Sequence, residues 1–331
     1  MPDYSIIRLE HMSPMHIGCG RESLEFSLSE LSSDSVNAAL ASMRAREGRI
    51  SDLKNFIGSF LLSSTFPYWD NHYFLPIMAG ERRLAIKGQE EFEHRKTLKK
   101  LRYAEYPLWK KLIAAEKCTI EMDQIQEGAY LFADSKTDAV FTSLSKNCVS
   151  ERVSVPKDGV SESIPFFFEW KYFDRKAGLY VLTDARGPLL EELMSLFTKL
   201  GEEGIGTDRG VGGGKFEVSL GEEPLHLDEP EGADGVMILS TLIPTRDDLS
   251  HADLSNSRYS IVRRFGYMAG SSVEEFRHLR RKSIFMFGTG SVFSSKKHFE
   301  GKVVELTPDW NSSGMHPVFR SGKPLCCSIK F

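Results

Sequence analysis

The sequence predicts an α+β chain of two β-rich units, the first with a ferredoxin-like βαββαβ order. Three observations carry this. Strand, helix, strand, a large insertion, strand, helix, a glycine-rich loop and strand follow one another over residues 4–220. Residues 221–235 are acidic and contain Pro224 and Pro230, as a linker would. Beyond them, short apolar strand patterns dominate and helix is sparse, so residues 223–331 read as a degenerate copy of 1–222.

The elements follow in order. Residues 4–10 form the first strand, and a glycine-punctuated stretch with His16, Gly18 and Gly20 comes next. Ser32, Ser33 and Asp34 are helix-capping types, and Val36, Ala39, Leu40 and Met43 recur at helical spacing. Residues 52–63 continue as helix and then strand, and 66–78 read as a hairpin turning at Asp70-Asn71. Residues 81–116 form a charged helical insertion in which basic residues outnumber acids. Residues 134–164 are polar, with Pro156 and Gly159, and read as a long exposed hairpin or a partly mobile loop. Strands at 165–172 and 178–183 lead to an amphipathic helix over 188–200, where Leu189, Leu193, Leu196, Phe197 and Leu200 share a face. In the second unit, 236–244, 258–265, 282–287, 303–306 and 324–331 are strand candidates, with helix expected over 272–281.

Composition narrows the function. The chain has 331 residues, 41% hydrophobic and 27% charged, enough apolar surface to fold. A net charge of −4 argues against nucleic-acid binding through bulk charge. The charge is segregated, however: residues 258–302 carry +7 and residues 219–253 carry −8. Five scattered cysteines show no chelating spacing, and fit a reducing cytoplasm. No signal-peptide pattern opens the chain and no apolar run approaches a membrane span, so no membrane association is expected.

Residues 201–214 hold seven glycines in fourteen positions. Neither nucleotide-loop pattern fits. Gly214-Lys215 is followed by Phe216 instead of Ser or Thr, and a helix precedes the glycines where a dinucleotide loop needs a strand. Exposed backbone N–H groups in such a loop make an anion cradle, with Arg209 and Lys215 supplying charge beside it. The glycine content thus points to a loop that approaches a polyanion.

GEEGIGTDRGVGGGKFEV after a leucine-rich helix resembles the glycine-rich loop of RAMP proteins, the RNA-binding subunits of CRISPR–Cas complexes. MHIGCGRESLE with LSSDSVNAAL, FPYWDNHYFLPIM, ERVSVPKDG, RKAGLYVLTD, RYSIVRRFGYMAG and HPVFRSGKPLCCSIKF are similar, in order and spacing, to the family of the fourth subunit of type III-A (Csm) complexes. Two departures are Asn37, where an apolar residue is more usual, and Ser321, where an aromatic is expected.

The resemblance implies two ferredoxin-like (RRM-like) domains facing each other across a CRISPR RNA, with a β-hairpin thumb at about 135–164. It implies a non-catalytic subunit that binds the 5′ repeat-derived tag and caps the complex. Its neighbours would be the large polymerase-nuclease subunit and a backbone RAMP subunit, with target RNA near the thumb. No cofactor or metal is expected. RNA contacts are expected in the N-terminal segment at His16, Gly18 and Gly20, and at Ser33 and Asp34, which read first as helix caps. The thumb offers Arg152 and Val153; the glycine loop offers Gly204, Gly206, Thr207, Arg209, Gly210, Gly212, Gly213, Gly214 and Lys215. Arg258, Arg263 and Arg264 are the basic candidates of the second unit, and strand alternation puts Arg263 and Arg264 on opposite faces. Two other readings stand beside this one: an endoribonuclease using His16, or a protein-interaction scaffold.

Overall fold

The computed structural model describes residues 3–18, 24–80, 83–88, 91–134, 141, 143–156, 162–268, 271, 273–308 and 316–330. Gly20 and parts of the charged stretch and of the thumb (81–82, 89–90, 135–140, 142 and 157–161) lie outside the described residues.

Strand Asp3–Glu10 sits inside an antiparallel sheet between Ala177–Thr183 and Glu217–Leu220, and Ala177–Thr183 pairs in turn with Phe66–Trp69. Numbered along the chain, these four strands lie in the order 4-1-3-2. Helices Ser33–Arg46 and Gly187–Glu203 pack on one face. The alternation of the central strand explains this: Ile7 and Leu9 point to the helices, with Leu193, Leu196, Phe197 and Leu200, whereas Tyr4 and Ile6 point to the opposite core. Gly187–Glu203 starts with Pro at its first turn and ends at Gly204, whose φ of +87° an L side chain adopts only with strain.

The sheet does not stop at Phe66–Trp69. The hairpin to His72–Pro76 forms as expected, with Asp70 at φ +55° in the turn. Strands Tyr103–Glu105, Tyr130–Leu131 and Ile125–Gln126 then extend the same sheet. The charged stretch is therefore not one solvated helical insertion. It contributes a strand (Leu84–Ile86), a helix (Glu91–Lys100), the buried strand Tyr103–Glu105 and a second helix, Tyr106–Ile113, that buries Leu108, Trp109, Leu112 and Ile113. Its described lysines and arginines stay at the surface while its apolar residues supply core.

The second unit has a four-stranded antiparallel sheet of Cys326–Ile329, Gly235–Ile238, Val292–Ser294 and Asp253–Arg258, in that order. In chain order this is again 4-1-3-2. Its helices are slight: Arg246–His251, started by a Thr245/Asp248 capping box, and a 3₁₀ segment at Glu274–His278 in place of the helix expected over 272–281. The strand expected over 258–265 is broken. Asp253–Arg258 belongs to the sheet, whereas Ile261–Arg264 forms a separate ribbon with Ile284–Phe287. Tyr259 packs on Phe287 and Phe293 at the break. Leu225–His226, inside the acidic stretch, adds to the first sheet beside Asp3 and Tyr4.

Candidate nucleic-acid interface

The glycine loop packs on the N-terminal segment through its backbone. Thr207 N donates to His16 O at 2.9 Å, Gly214 N to Pro14 O at 2.9 Å, and Ser13 N to Lys215 O at 2.8 Å. Side chains cannot fit between them. A Cβ at Gly206 (φ +97°) would stand 2.5 Å from His16 O, and one at Gly214 (φ +68°) 1.9 Å from Ile205 O. Gly204 and Gly213 are similarly closed, the first against Gly213 O and the second against the Trp170 ring. A Cβ at Gly210 or Gly212, by contrast, would meet nothing within 4 Å among the described residues. Much of the glycine content therefore serves the loop's own packing. The exposed crest is Thr207, Arg209, Gly210, Val211 and Lys215.

His16 faces inward. It is fully buried, its Nδ1 donates to Glu169 O at 2.8 Å, and its ring lies 4.4 Å from that of Phe168. The endoribonuclease reading needs an imidazole that substrate can reach, and His16 does not offer one. Gly18, by contrast, is exposed and bridges to Ser27.

The hairpin expected within 134–164 is shifted along the chain: Ser145–Ser154 pairs with Ile164–Phe173, the segment read as a separate strand over 165–172, to form a ribbon of two ten-residue strands. Its base docks on His16 and Met15 through strand Ile164–Phe173. Arg152 is not free at its tip: it pairs with Asp208 of the glycine loop and lies 4.5 Å over the Phe168 ring and 5.6 Å over that of Trp170. Val153, on the other face, is 55% exposed, Val149 and Phe167 are exposed in similar measure, and Val155 more so.

Ser33 and Asp34 are also displaced from their expected role. Ser32 is the helix N-cap, without a side-chain cap bond. Ser33 Oγ accepts from Thr241 N at 2.9 Å, and Asp34, fully buried, accepts from Arg264 Nε at 3.0 Å and meets Thr241 Oγ1 at 3.5 Å. Arg264 also reaches Ser32 and Ser35. These residues tie the two units together. Of the other basic candidates, Arg258 lies against Gly80 and Arg263 is exposed near Phe265, so the three arginines do not converge.

Between the units runs a cleft of about 570 Å³. Ser35, Ala38, Ala39 and Ser42 of the first helix form one wall, Gly204–Gly206 and Arg209 another, and Tyr267, Met268, Arg281, Phe319 and Arg320 the third. Its described lining includes Arg46, Arg209, Arg281 and Arg320 and no Asp or Glu. Small residues leave room for a chain of bases, and the cations suit its phosphates. The sequence alone singles out neither Arg281 nor Arg320. The first is one of many residues in a basic tract, and the second sits unmarked in HPVFRSG. Among the described residues, no helix is long and apolar enough to cross a membrane.

Comparison with known proteins gives a consistent picture. Residues 231–329 match the family model of the CRISPR Csm4 C-terminal domain. A Mycobacterium tuberculosis (strain H37Rv) protein named CRISPR system Cms protein Csm4 is 30% identical over 190 residues, 57% of this chain and 59% of the relative. The Streptococcus thermophilus protein of the same name is 32% identical over 156 residues, 46% and 48% of the two chains. The matched segments thus span roughly half the length of these relatives. A chain of the crystal structure of a Csm3-Csm4 subcomplex in the type III-A CRISPR-Cas interference complex superposes with a TM-score of 0.66 at 17% identity, covering 99% of this chain and 100% of that one. A chain of a Csm1-Csm4 cassette in complex with cA4 gives 0.62 at 17% identity, covering 100% and 99%.

Proposed function

We propose, from the premise that this chain carries the CRISPR Csm4 C-terminal domain over residues 231–329, that it is the RNA-holding end subunit of a type III-A effector complex. It grips the 5′ repeat-derived tag of a CRISPR RNA without cleaving it. Its two units, 1–222 and 223–331, are ferredoxin-like, the second degenerate, and the repeated 4-1-3-2 strand order supports that reading. Its partners are a large polymerase-nuclease subunit and a backbone RAMP subunit, as the solved assemblies of Csm4 with Csm1 and with Csm3 suggest for relatives. The ribbon Ser145–Phe173 is the thumb, its exposed Val149, Val153 and Phe167 lying beside guide and target. The complex works in the cytoplasm.

The observation that carries this reading is the cleft whose described lining holds arginines and no Asp or Glu, with Arg209 at the glycine loop facing a helix wall of Ala and Ser. Single-stranded RNA is held largely by phosphate contacts and stacking, and the cleft offers arginines for the first and the Tyr267 and Phe319 rings for the second. Purification of the chain from cells expressing the whole complex tests it. A short RNA of uniform 5′ end and a much larger protein should come down together. A salt-stable protein assembly without RNA would point to the scaffold reading, because phosphate contacts weaken steeply with salt.

A further inference from the structure

Three arginines of the second unit, Arg264, Arg281 and Arg320, gather at the start of helix Ser33–Arg46, and one carboxylate faces them. Asp34 Oδ2 is 3.0 Å from Arg264 Nε and 4.0 Å from Arg320 Nη1. Arg320 Nη1 also donates to the Asp34 carbonyl at 2.8 Å. Arg281 has no carboxylate partner among the described residues. It is 6% exposed, and its terminal nitrogens donate to the carbonyls of Arg264 (3.4 Å), Phe265 (3.0 Å) and Lys282 (3.2 Å). Carbonyls accept its protons but do not neutralise its charge. The Nε atoms of Arg281 and of Arg320 are both buried without a hydrogen-bond partner among the described residues. Burial and the neighbouring Arg320 lower Arg281 to about 10, the behaviour of a cation short of a counter-anion.

Such a cluster is costly unless something completes it. Uncompensated buried charge destabilises, and among the described residues three guanidiniums around one carboxylate leave two charges unmatched. Arg281 and Arg320 both line the cleft, beside Ser35, Ser271 and His316. Planar guanidiniums match phosphate oxygens in geometry as well as charge.

We infer that Arg281 and Arg320, held in place by the Arg264–Asp34 pair, form a seat for one phosphate of the RNA in the cleft. The inference deepens the RNA-binding reading above, and rests on it for the source of the phosphate. It places the fixed anion contact at the seam between the units, opposite the glycine loop. One phosphate would then bridge the second unit to the first helix, making RNA binding and docking of the units mutually supportive.

Two measurements test it. In the first, inorganic phosphate is titrated into the full chain at constant ionic strength, with chloride as the control. The Nε–H resonances of Arg281 and Arg320 should shift saturably, and phosphate should raise the melting temperature where chloride does not. No saturable shift in the wild-type chain overturns the seat, and needs no variant to interpret. In the second, a tag-bearing single-stranded RNA is bound over a range of salt. Arg320→Gln should reduce the slope of log K against log salt by about 0.7, the value for one phosphate contact on a single strand. Arg320→Lys, which keeps the charge, should keep most of the slope. RNA binding with an unchanged slope in folded Arg320→Gln overturns the seat and leaves the RNA reading intact. A phosphate response in a wild-type chain that binds no RNA supports the seat and overturns that reading.

Discussion

The two units share a strand order and differ in what covers it. The first carries helices of 14 and 17 residues on one face of its sheet; among the described residues the second has a helix of 6 and a 3₁₀ segment of 5. A four-stranded sheet without helices leaves apolar surface that must be buried elsewhere. In the second unit Val236 and Ile238 face a small local core, whereas Met237, Leu239, Val292, Leu325, Cys327 and Ile329 join the large core of the first unit. Its polar seam is borrowed as well, through Ser33–Thr241 and Asp34–Arg264. Repeating a topology therefore does not repeat independence: the first unit covers one face of its sheet with its own helices, whereas the second depends for most of its burial on the core it shares with the first.

The most direct way to break this comparison is Asp34→Ala. It removes the carboxylate that Arg264 and Arg320 share, and breaking a buried pair costs about 3–5 kcal/mol. Urea unfolding should show the loss. Hydrogen exchange should localise it, with amides of Gly235–Ile238 and Cys326–Ile329 exchanging faster while Asp3–Glu10 stays protected. Equal acceleration in both sheets would mean that the two units unfold as one.

A smaller effect separates two glycines of the loop. Gly214→Ala forces a side chain onto Ile205 O at a positive φ and should cost more than about 1 kcal/mol. Gly210→Ala has open space and should stay within about 0.5 kcal/mol. Thermal melts of the pair decide whether packing or conformational freedom explains the glycine content. Smaller again is Arg152→Ala. Its pair with Asp208 is about a third exposed on each side, so stability should change by no more than about 1 kcal/mol. Exchange of the ribbon amides 145–154 should rise nonetheless, because the bond ties ribbon to loop. Unaltered exchange would show that the contacts at the ribbon's base, Met15–Lys171 and His16–Glu169, seat it without that bond.

The smallest expected effect is a pH dependence at the extended edge of the first sheet. The hydrogen bond from His72 to Glu105, at 2.7 Å, raises the imidazole above its usual 6.5. The folded state then binds the proton more tightly than the unfolded one. That stabilisation is complete below pH 6.5 and is lost as pH rises through the raised value. The His72 contribution to stability should fall over this window in the wild type, and the difference in pH profile between wild type and His72→Gln should isolate it.

The legible parts of the fold are those with a local signal. The helix over 187–203 follows from leucines at helical spacing, and the 66–78 hairpin from an Asp-Asn turn between aromatic runs. Tyr103–Glu105 is hidden because a three-residue strand inside a lysine-rich, helix-spaced stretch has no period of its own. Thr245 and Asp248 do form a readable capping box, a local signal that could have placed the short helix behind it. At the site, the glycine loop is visible by composition, but its reason is not. Close approach to His16 O and Ile205 O belongs to tertiary structure. Asp34 and Arg264 are 230 residues apart, and nothing local to either names the other. For the same reason His16 looks like an RNA contact in the sequence, and Ser33 and Asp34 like helix caps, while in the fold all three are buried fastenings.

The proposed grip on single-stranded RNA depends above all on the exposed arginine of the glycine loop. Arg209 is exposed, so Arg209→Ala should change the melting temperature little. The decisive measurement is the affinity of the wild-type chain and of this variant for a single-stranded RNA carrying the 5′ repeat-derived tag, at several salt concentrations. Binding should weaken steeply with salt and fall about tenfold or more in the variant, the worth of one charged phosphate contact. Salt-insensitive binding, or equal affinity of a folded Arg209→Ala chain, would contradict it.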